Sequence, residues 1–243
     1  MLALTERRRP ETLSKIVGQS FAVMSLTDFV DQPYPQAFLF SGSTGVGKTT
    51  AALALVKELG INDQNFIHIK SGEMDAESVK SALDLCRFVG LGNGWKLILC
   101  DEADLMSTKA RSLWLSALEA LQSGEYGKTV IVFTTNDPGR FDARFRDRCE
   151  HLEFESEAKA LYLDAEGLLA DLWWSEGLAG VPPALDAIRG LVVDGAISFR
   201  RLVRFVESES RRPRDLAGAR LAKIAASKPV ASVAKPVSSC VLL

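Results

Sequence analysis

A glycine-rich segment carries the residue types that bind phosphate. Residues 38–50 read FLFSGSTGVGKTT, an apolar run followed by Gly-x-x-x-x-Gly-Lys-Thr and then by an alanine- and leucine-rich stretch. Glycine lets the backbone curl tightly around an anion, and a helix that begins near Lys48 adds the positive end of its dipole. The pattern predicts a phosphate-binding loop. The alternative, a glycine-rich turn before a helix, does not account for the complete motif.

The predicted loop residues divide into three roles. Backbone N–H groups would contact the phosphates, Lys48 would reach the β- and γ-phosphates, and Thr49 would supply a hydroxyl to Mg²⁺. The expected contacts are Gly42, Ser43, Thr44, Gly45, Val46, Gly47, Lys48, Thr49 and Thr50. The segment therefore predicts a nucleoside triphosphate with Mg²⁺ as its cofactors.

Two carboxylates follow a later apolar segment. Residues 95–100 read WKLILC, a strand pattern buried on both faces, and Asp101 and Glu102 come next. Ligands of open α/β sheets bind at the carboxyl ends of the strands, so these acids are expected beside the loop. Asp101 would hold the Mg²⁺ shell, and Glu102 would orient the attacking water. The alternative is an acidic cap that only makes a strand end soluble.

A carboxamide follows the next apolar segment. Residues 129–133 predict another buried strand, which delivers Thr134, Thr135 and Asn136 to the same sheet edge. At this position the amide of Asn136 is expected to hydrogen-bond the γ-phosphate or the attacking water.

The elements that must position these residues alternate between strands and helices. Predicted strands are residues 37–40, 65–69, 95–100, 129–133 and 152–154. Predicted helices are residues 21–30, 48–59, 75–88 and one capped by Ser107 and Thr108. This order predicts an α/β fold in which a parallel sheet is flanked by helices.

The pattern becomes helical from Glu157 onward. Leu161 begins one apolar stripe, Pro182 and Pro183 are expected to open a second helix, and residues 198–209 predict a third. The predicted domains are residues 1–155, the nucleotide-binding α/β domain, 156–210, a small all-helical lid, and 211–243, a weak helix at 215–226 with a disordered tail.

Size and composition indicate an ordinary globular protein. The 243 residues are 47% hydrophobic and 25% charged, and the formal net charge of −2 gives no global attraction to nucleic acid. The four cysteines show no C-x-x-C spacing, which argues against a zinc module and a disulfide framework. No apolar run approaches the ~18 residues of a membrane span. We expect a reducing, cytoplasmic setting, nuclear in a eukaryote, and no membrane partner.

Taken in order, these motifs resemble those of the AAA+ ATPases, and among them the ATPase subunits of DNA sliding-clamp loaders. The resemblance covers residues 6–207. The matching segments are residues 9–13 with 17–19 (R-P-x-T-L and V-G-Q), 42–49 and 97–102 (the two Walker motifs) and 134–136 (sensor 1). It implies ATP as the nucleotide and an adenine pocket lined by Val17 and Gly18.

Two arginines acquire roles only through this resemblance. Residues 198–201 are similar to the sensor 2 helix, which implies that Arg200 contacts the γ-phosphate within its own subunit. Residues 148–149 resemble the end of the loaders' S-R-C element, which implies that Arg148 acts on ATP bound by a neighbouring subunit.

The sequence also departs from the loader pattern. Asp147 stands where the loaders have serine, so Arg144 or Arg146 could serve in place of Arg148. The zinc module of bacterial relatives is missing, and no collar domain is evident after the lid. Assembly would then rely on a partner subunit, or the protein would be a minimal, viral version.

The leading hypothesis is an ATP-hydrolysing clamp-loader subunit whose partners are a sliding clamp, other loader subunits and primer-template DNA. One rival is another AAA+ remodeller, such as a helicase loader or a branch-migration motor. A second is a nucleotide-gated scaffold, which the pair Asp101 and Glu102 disfavours because a scaffold needs no water-activating acid. The final residues, 240–243, also fit a C-a-a-X prenylation box or a short partner-binding peptide.

Overall fold

A five-stranded parallel sheet forms the centre of the molecule. The structure is a computed structural model that describes residues 2–88 and 90–212. The strand order is β2-β3-β4-β1-β5, and every neighbouring pair is parallel. The strands are Gln36–Ser41 (β1), Phe66–Ile69 (β2), Lys96–Cys100 (β3), Thr129–Thr135 (β4) and Glu150–Glu153 (β5). The predicted α/β class with a parallel sheet is confirmed.

Helices precede, connect and follow the strands. They are Leu4–Arg7 (α1), Ser20–Asp31 (α2), Lys48–Glu58 (α3), Ala76–Cys86 (α4), Thr108–Gln122 (α5), Ala143–Arg146 (α6), Ala158–Ser175 (α7) and Phe199–Ser210 (α8). Within the described ranges, no helix is long and apolar enough to cross a membrane. The helix predicted at 215–226, the tail from 228 and the 240–243 motif lie outside the described residues.

The two faces of the sheet are covered by different helices. Successive strand residues point to opposite faces, so Ile98 packs with Trp114 of α5 whereas Leu97 packs with Leu55 of α3. Every residue of β3 and β4 is buried. This double coverage explains why both strands read as continuous apolar runs. The polar residues of the predicted site therefore lie just beyond the ends of these strands.

A third hydrophobic cluster joins α7 and α8. Leu161 and Leu169 of α7 pack in it with Leu202 and Val206 of α8, all of them buried. This region is the one predicted as a lid, and the pair α7 and α8 is called the lid below. The division of the chain into three domains at residues 155 and 210 stays a prediction.

The prediction of a helix that begins at Pro182 and Pro183 is wrong. The segment forms a short 3₁₀ turn, Leu185–Ala187, followed by a two-stranded antiparallel ladder of Val192–Val193 (β6) and Ala196–Ile197 (β7). The connecting residues Asp194 and Gly195 both have positive φ, at 51° and 77°. An Asp-Gly pair in this conformation makes the tight turn that suits a hairpin, so the chain reverses here instead of continuing as a helix.

The first helix packs against the lid cluster. Leu4 is 1% exposed within that cluster, and its backbone N–H donates to Glu207 Oε1 of α8 at 3.0 Å. Arg7 and Arg8 both pair with Glu176, at 2.7 and 2.8 Å. The start of the chain is therefore attached to helices that come more than half a chain later in the sequence.

Candidate nucleotide site

The phosphate-binding loop connects β1 to α3. Gly42, Gly45 and Gly47 have φ values of 141°, 87° and 114°, which only glycine adopts readily. Gly47 precedes the first residue of α3, so the curled loop brings the free N–H groups of that helix to the edge of the sheet. The predicted link between strand, loop and helix has this form in the structure.

Lys48 is held at the centre of the loop. Its ammonium donates to the carbonyls of Gly42 and Ser43, at 2.7 and 2.9 Å, and to Asn136 Oδ1 at 3.0 Å. The residue is only 8% exposed. Burial lowers the pKa of Lys48 to about 8, although the nearby carboxylate of Asp101 opposes that shift. The loop therefore holds a buried cation aimed at the end of β4.

The carboxylate of Asp101 is tied to the loop. Its Oδ1 accepts hydrogen bonds from Thr49 Oγ1 at 2.8 Å and from Thr134 Oγ1 at 2.5 Å, and its Oδ2 lies 3.9 Å from His68 Nε2. Burial alone would raise the pKa of Asp101. The His68 ring and the hydroxyls of Thr134 and Thr49 together outweigh burial and lower the pKa to about 2. Asp101 is therefore ionised at neutral pH.

Glu102 follows in a left-handed backbone conformation, with φ 55° and ψ 49°. This conformation costs a residue with a Cβ about 1 kcal/mol or more. Its backbone N–H donates to Thr134 Oγ1 at 3.0 Å. The turn ends β3 abruptly and leaves the Glu102 side chain exposed at the cavity wall.

The lid touches the loop directly at the start of α8. The backbone N–H of Arg200 donates to the Gly45 carbonyl at 3.3 Å. A Cβ added to Gly45 would lie 2.3 Å from Ser198 Oγ, so only glycine fits this contact. The position of α8 and the shape of the phosphate loop therefore depend on each other.

These residues surround one cavity of about 980 Å³. The polar end of the cavity holds the loop, the two acids, Asn136 and Arg200. The rest of its lining combines apolar side chains with the charged residues of the segment 6–11 and Lys15; the apolar ones are Ile16, Val17, Leu168, Leu172, Phe199 and Val203. A cavity of this size with apolar surface and a cluster of convergent polar groups suits a nucleotide.

Most of the predicted site residues line this cavity. They are Val17, Thr44, Gly45, Val46, Gly47, Lys48, Thr49, Thr50, Asp101, Glu102, Asn136 and Arg200. Three others, Gly18, Gly42 and Ser43, are not among the described residues that line it. Gly42 and Ser43 support Lys48 through their carbonyls, and a Cβ on Gly18 would meet Leu161 and Phe199 of the lid. Gly18 therefore acts in lid packing, where a larger residue would not fit.

Arg148 lies apart from the cavity of its own chain. Its Nη2 pairs with Glu119 Oε1 of α5 at 2.6 Å, and its Nη1 donates to the Arg144 carbonyl at 2.7 Å. Its side chain is 26% exposed. The structure thus does not bring Arg148 together with the other predicted residues, and a role for it in a neighbouring subunit stays a prediction.

Sequence reasoning missed three polar residues of this region. His68 belongs to none of the sequence motifs, yet it lines the cavity beside Asp101. Thr134 was treated only as part of a motif. Gln19 is 3% exposed, and its side-chain amide exchanges two hydrogen bonds with the backbone of Glu155, at 2.8 and 2.9 Å, where the chain leaves the sheet for the lid. The strand register could have pointed to Thr134, since its last pair, Cys100 with Phe133, comes just before Asp101 and Thr134.

Comparison with protein families agrees with this geometry. Residues 38–156 match the family described as "ATPase family associated with various cellular activities (AAA)". The matched segment of this chain is an AAA ATPase domain.

Curated relatives give a more particular similarity. The chain is 31% identical over 192 residues to the replication factor C small subunit of Methanococcus maripaludis, and the match covers 71% of this chain and 59% of that protein. The protein of the same name from Methanosphaera stadtmanae is 24% identical over 210 residues, which cover 84% of this chain and 62% of the relative. The chain thus spans about three-fifths of the length of these relatives.

Solved structures share the fold. The Thermotoga maritima RuvB Holliday junction branch migration motor superposes with a TM-score of 0.67 over 88% of this chain and 72% of that one, at 18% identity. At this identity the similarity concerns the fold alone.

Proposed function

We propose that this protein is an ATP-hydrolysing subunit of a DNA sliding-clamp loader. The observation that carries the proposal is the 2.8 Å hydrogen bond between Thr49 and Asp101, which joins the phosphate loop to the acidic strand end inside one cavity. Similarity to replication factor C small subunits supports the particular assignment to a loader.

The residues present fit ATP with Mg²⁺. Thr49 and Asp101 offer one hydroxyl and one ionised carboxylate on the same side of the loop. Mg²⁺ is usually held by one or two protein oxygens together with phosphates and water, so this small donor set matches its preference. When bound, the ion would neutralise charge on the β- and γ-phosphates. The apolar side chains of the lining, among them Val17, would contact the adenine.

Hydrolysis requires a base and hydrogen-bond donors, and candidates for both line the cavity. Glu102 would accept a proton from the attacking water, because its carboxylate is exposed at the polar end of the cavity. Asn136 would hold that water or the γ-phosphate. Lys48 and Arg200 would stabilise the negative charge that develops on the phosphate oxygens.

We infer that Arg148 completes the site of a neighbouring subunit. An arginine supplied from outside can raise the rate of phosphoryl transfer by ~10³ to 10⁵. Because Arg148 lies away from its own cavity, hydrolysis would depend on assembly of several subunits. In this proposal the assembly's partners are a sliding clamp, other loader subunits and primer-template DNA, and its location is cytoplasmic or, in a eukaryote, nuclear.

The test is an ATPase assay on the wild type and on Lys48→Ala, with and without primer-template DNA, the clamp of the same organism and any co-purifying subunit. Lys57→Ala is the matched control, because Lys57 lies on the same helix, is not among the described residues that line the cavity, and forms an exposed ion pair with Glu11. We expect stimulation of the wild type and of Lys57→Ala and none of Lys48→Ala. Rates that stay flat under all conditions would argue against a loader, and stronger stimulation by four-way junction DNA would favour a branch-migration motor.

A further inference from the structure

A single hydroxyl connects the ends of β3 and β4. The ladder between the two strands ends with Cys100 opposite Phe133, and Asp101 and Thr134 are the residues that follow this last pair. Thr134 Oγ1 donates its hydrogen to Asp101 Oδ1 at 2.5 Å and accepts the backbone N–H of Glu102 at 3.0 Å. Thr134 is 1% exposed. Its hydroxyl therefore bridges both acidic residues, and water is kept from replacing it.

The hydrogen bond to Thr134 holds the backbone of Glu102 in place. Among the described residues, the Glu102 carboxylate receives no hydrogen bond, so its place depends on its backbone. That backbone is in the left-handed region, with φ 55°, where a residue with a Cβ is strained. The hydrogen bond from the Glu102 N–H to Thr134 offsets this strain and fixes the direction in which the side chain leaves the chain.

We propose that Thr134 is a positioning residue for hydrolysis, which holds the Glu102 backbone and the Asp101 carboxylate in their working geometry. The inference rests on the ATPase function proposed above. Thr134 lines the cavity, but its one hydroxyl hydrogen is donated to Asp101, so the hydroxyl has none left to donate to a phosphate oxygen. Its loss should therefore affect the chemical step more than nucleotide binding.

Thr134→Val is the direct test because it removes the hydroxyl and keeps the shape. A small misplacement of a reacting group can cost ~10²-fold in rate, so we expect kcat to fall about 10- to 100-fold. KM for ATP and the affinity for nucleotide measured without hydrolysis should stay near those of the wild type. Thr134→Ser, which retains the hydroxyl, should restore most of kcat.

Thr129→Val is the matched control. Thr129 begins the same strand, is 0% exposed and donates its hydroxyl to the Tyr126 carbonyl at 2.7 Å, far from the cavity. The substitution is the same in chemistry and burial, so it should lower stability to a similar degree without lowering kcat. This control separates positioning from the general effect of losing a buried hydrogen bond.

The outcomes are distinct. If the wild type does not hydrolyse ATP with its partners, the proposed function fails and this inference falls with it. If the wild type is active and Thr134→Val retains the kcat of Thr129→Val, only the inference is overturned. Should Thr134→Val not fold, Thr134→Ala and Thr134→Ser replace it, and a serine variant as slow as the alanine variant would refute the role of the hydroxyl.

Discussion

Lys48 and Asn136 are hydrogen-bonded across the polar end of the cavity, with Nζ 3.0 Å from Oδ1. An ammonium can only donate, so the oxygen of the carboxamide must face it. The NH₂ group of Asn136 is then left to donate to a phosphate oxygen or a water. The contact joins the first residue of α3 to the residue that follows β4, so it aligns the two motifs with each other.

Asn136→Asp is predicted to weaken ATP binding. The new carboxylate would pair with Lys48 and would repel the triphosphate, and a charge-assisted hydrogen bond contributes about 1.5–3 kcal/mol, which corresponds to roughly a 10- to 100-fold loss of affinity. Asn136→Ala, which adds no charge, should retain more affinity and lose mainly turnover. Titration with a fluorescent ATP analogue measures both. An aspartate variant that binds as tightly as the alanine variant would contradict the proposed arrangement.

Gly45→Ala is predicted to displace α8. The new Cβ would lie 2.3 Å from Ser198 Oγ and 3.1 Å from Arg200 Cβ. Gly124→Ala is the control, because Gly124 has a similar φ, +83° against +87°, but nothing within 4 Å of an added Cβ. Both variants should lose about 1 kcal/mol of stability from the left-handed backbone. Only Gly45→Ala should lose nucleotide affinity.

A double variant sharpens the Gly45 prediction. Ser198→Ala removes the Oγ atom and leaves Cβ at 3.4 Å, an ordinary van der Waals distance. Combined with Gly45→Ala, it should recover part of the lost affinity. Equal affinity of the single and the double variant would show that the contact with Ser198 is not the cause.

Arg148→Ala and Lys48→Ala are predicted to complement each other when mixed. Each variant alone should be inactive, because one lacks the external arginine and the other cannot hold the phosphates. A mixed assembly contains intact sites formed by Lys48 of one subunit and Arg148 of its neighbour. The measurement is the ATPase rate of the mixture with DNA and partners. No recovery, in an assembly shown to exchange subunits, would argue for an arginine that acts elsewhere.

Buried thiols predict a loss of stability at alkaline pH. Burial raises the pKa of Cys86 to about 11 and that of Cys149 to about 12, from 9.0. The unfolded thiols therefore release protons first as the pH rises above about 9, and the free energy of unfolding falls between about 9 and 12. Urea unfolding at a series of pH values measures this slope. Cys86→Ala and Cys149→Ala should reduce it, and an unchanged slope would contradict the assignment.

The phosphate loop and the strands β3 and β4 could be predicted from the sequence, because the residues that determine each of them are close together in the chain. The phosphate loop depends on glycines within a few residues of Lys48, and β3 and β4 are buried on both faces, which makes their apolar runs unmistakable. The parallel order of strands and helices then brought Asp101 and Asn136 to the loop. Each of these steps uses periodicity or motif spacing, which a single sequence displays.

What the sequence did not disclose depends on contacts between distant segments. The ion pair of Arg148 with Glu119 and the bridge from Thr134 to Glu102 each join separate elements. The hairpin at Asp194 and Gly195 differs from the prediction for another reason, since two prolines upstream favour a helix start whereas the Asp-Gly pair favours a tight turn. The Asp-Gly turn signal is local in the sequence, but the helix patterns before and after it are stronger.

Helix α1 connects the start of the chain to the helices α7 and α8 of the lid. Residues 5–11 line the cavity, and the helix α1 at the start of this stretch is fixed to α7 and α8 by Leu4 and by the ion pairs of Arg7 and Arg8 with Glu176. Any tilt of the lid must therefore pull on this stretch and alter the room left for the base. A spin label at Leu2, which is 70% exposed, would report that movement from the opposite end of the sequence.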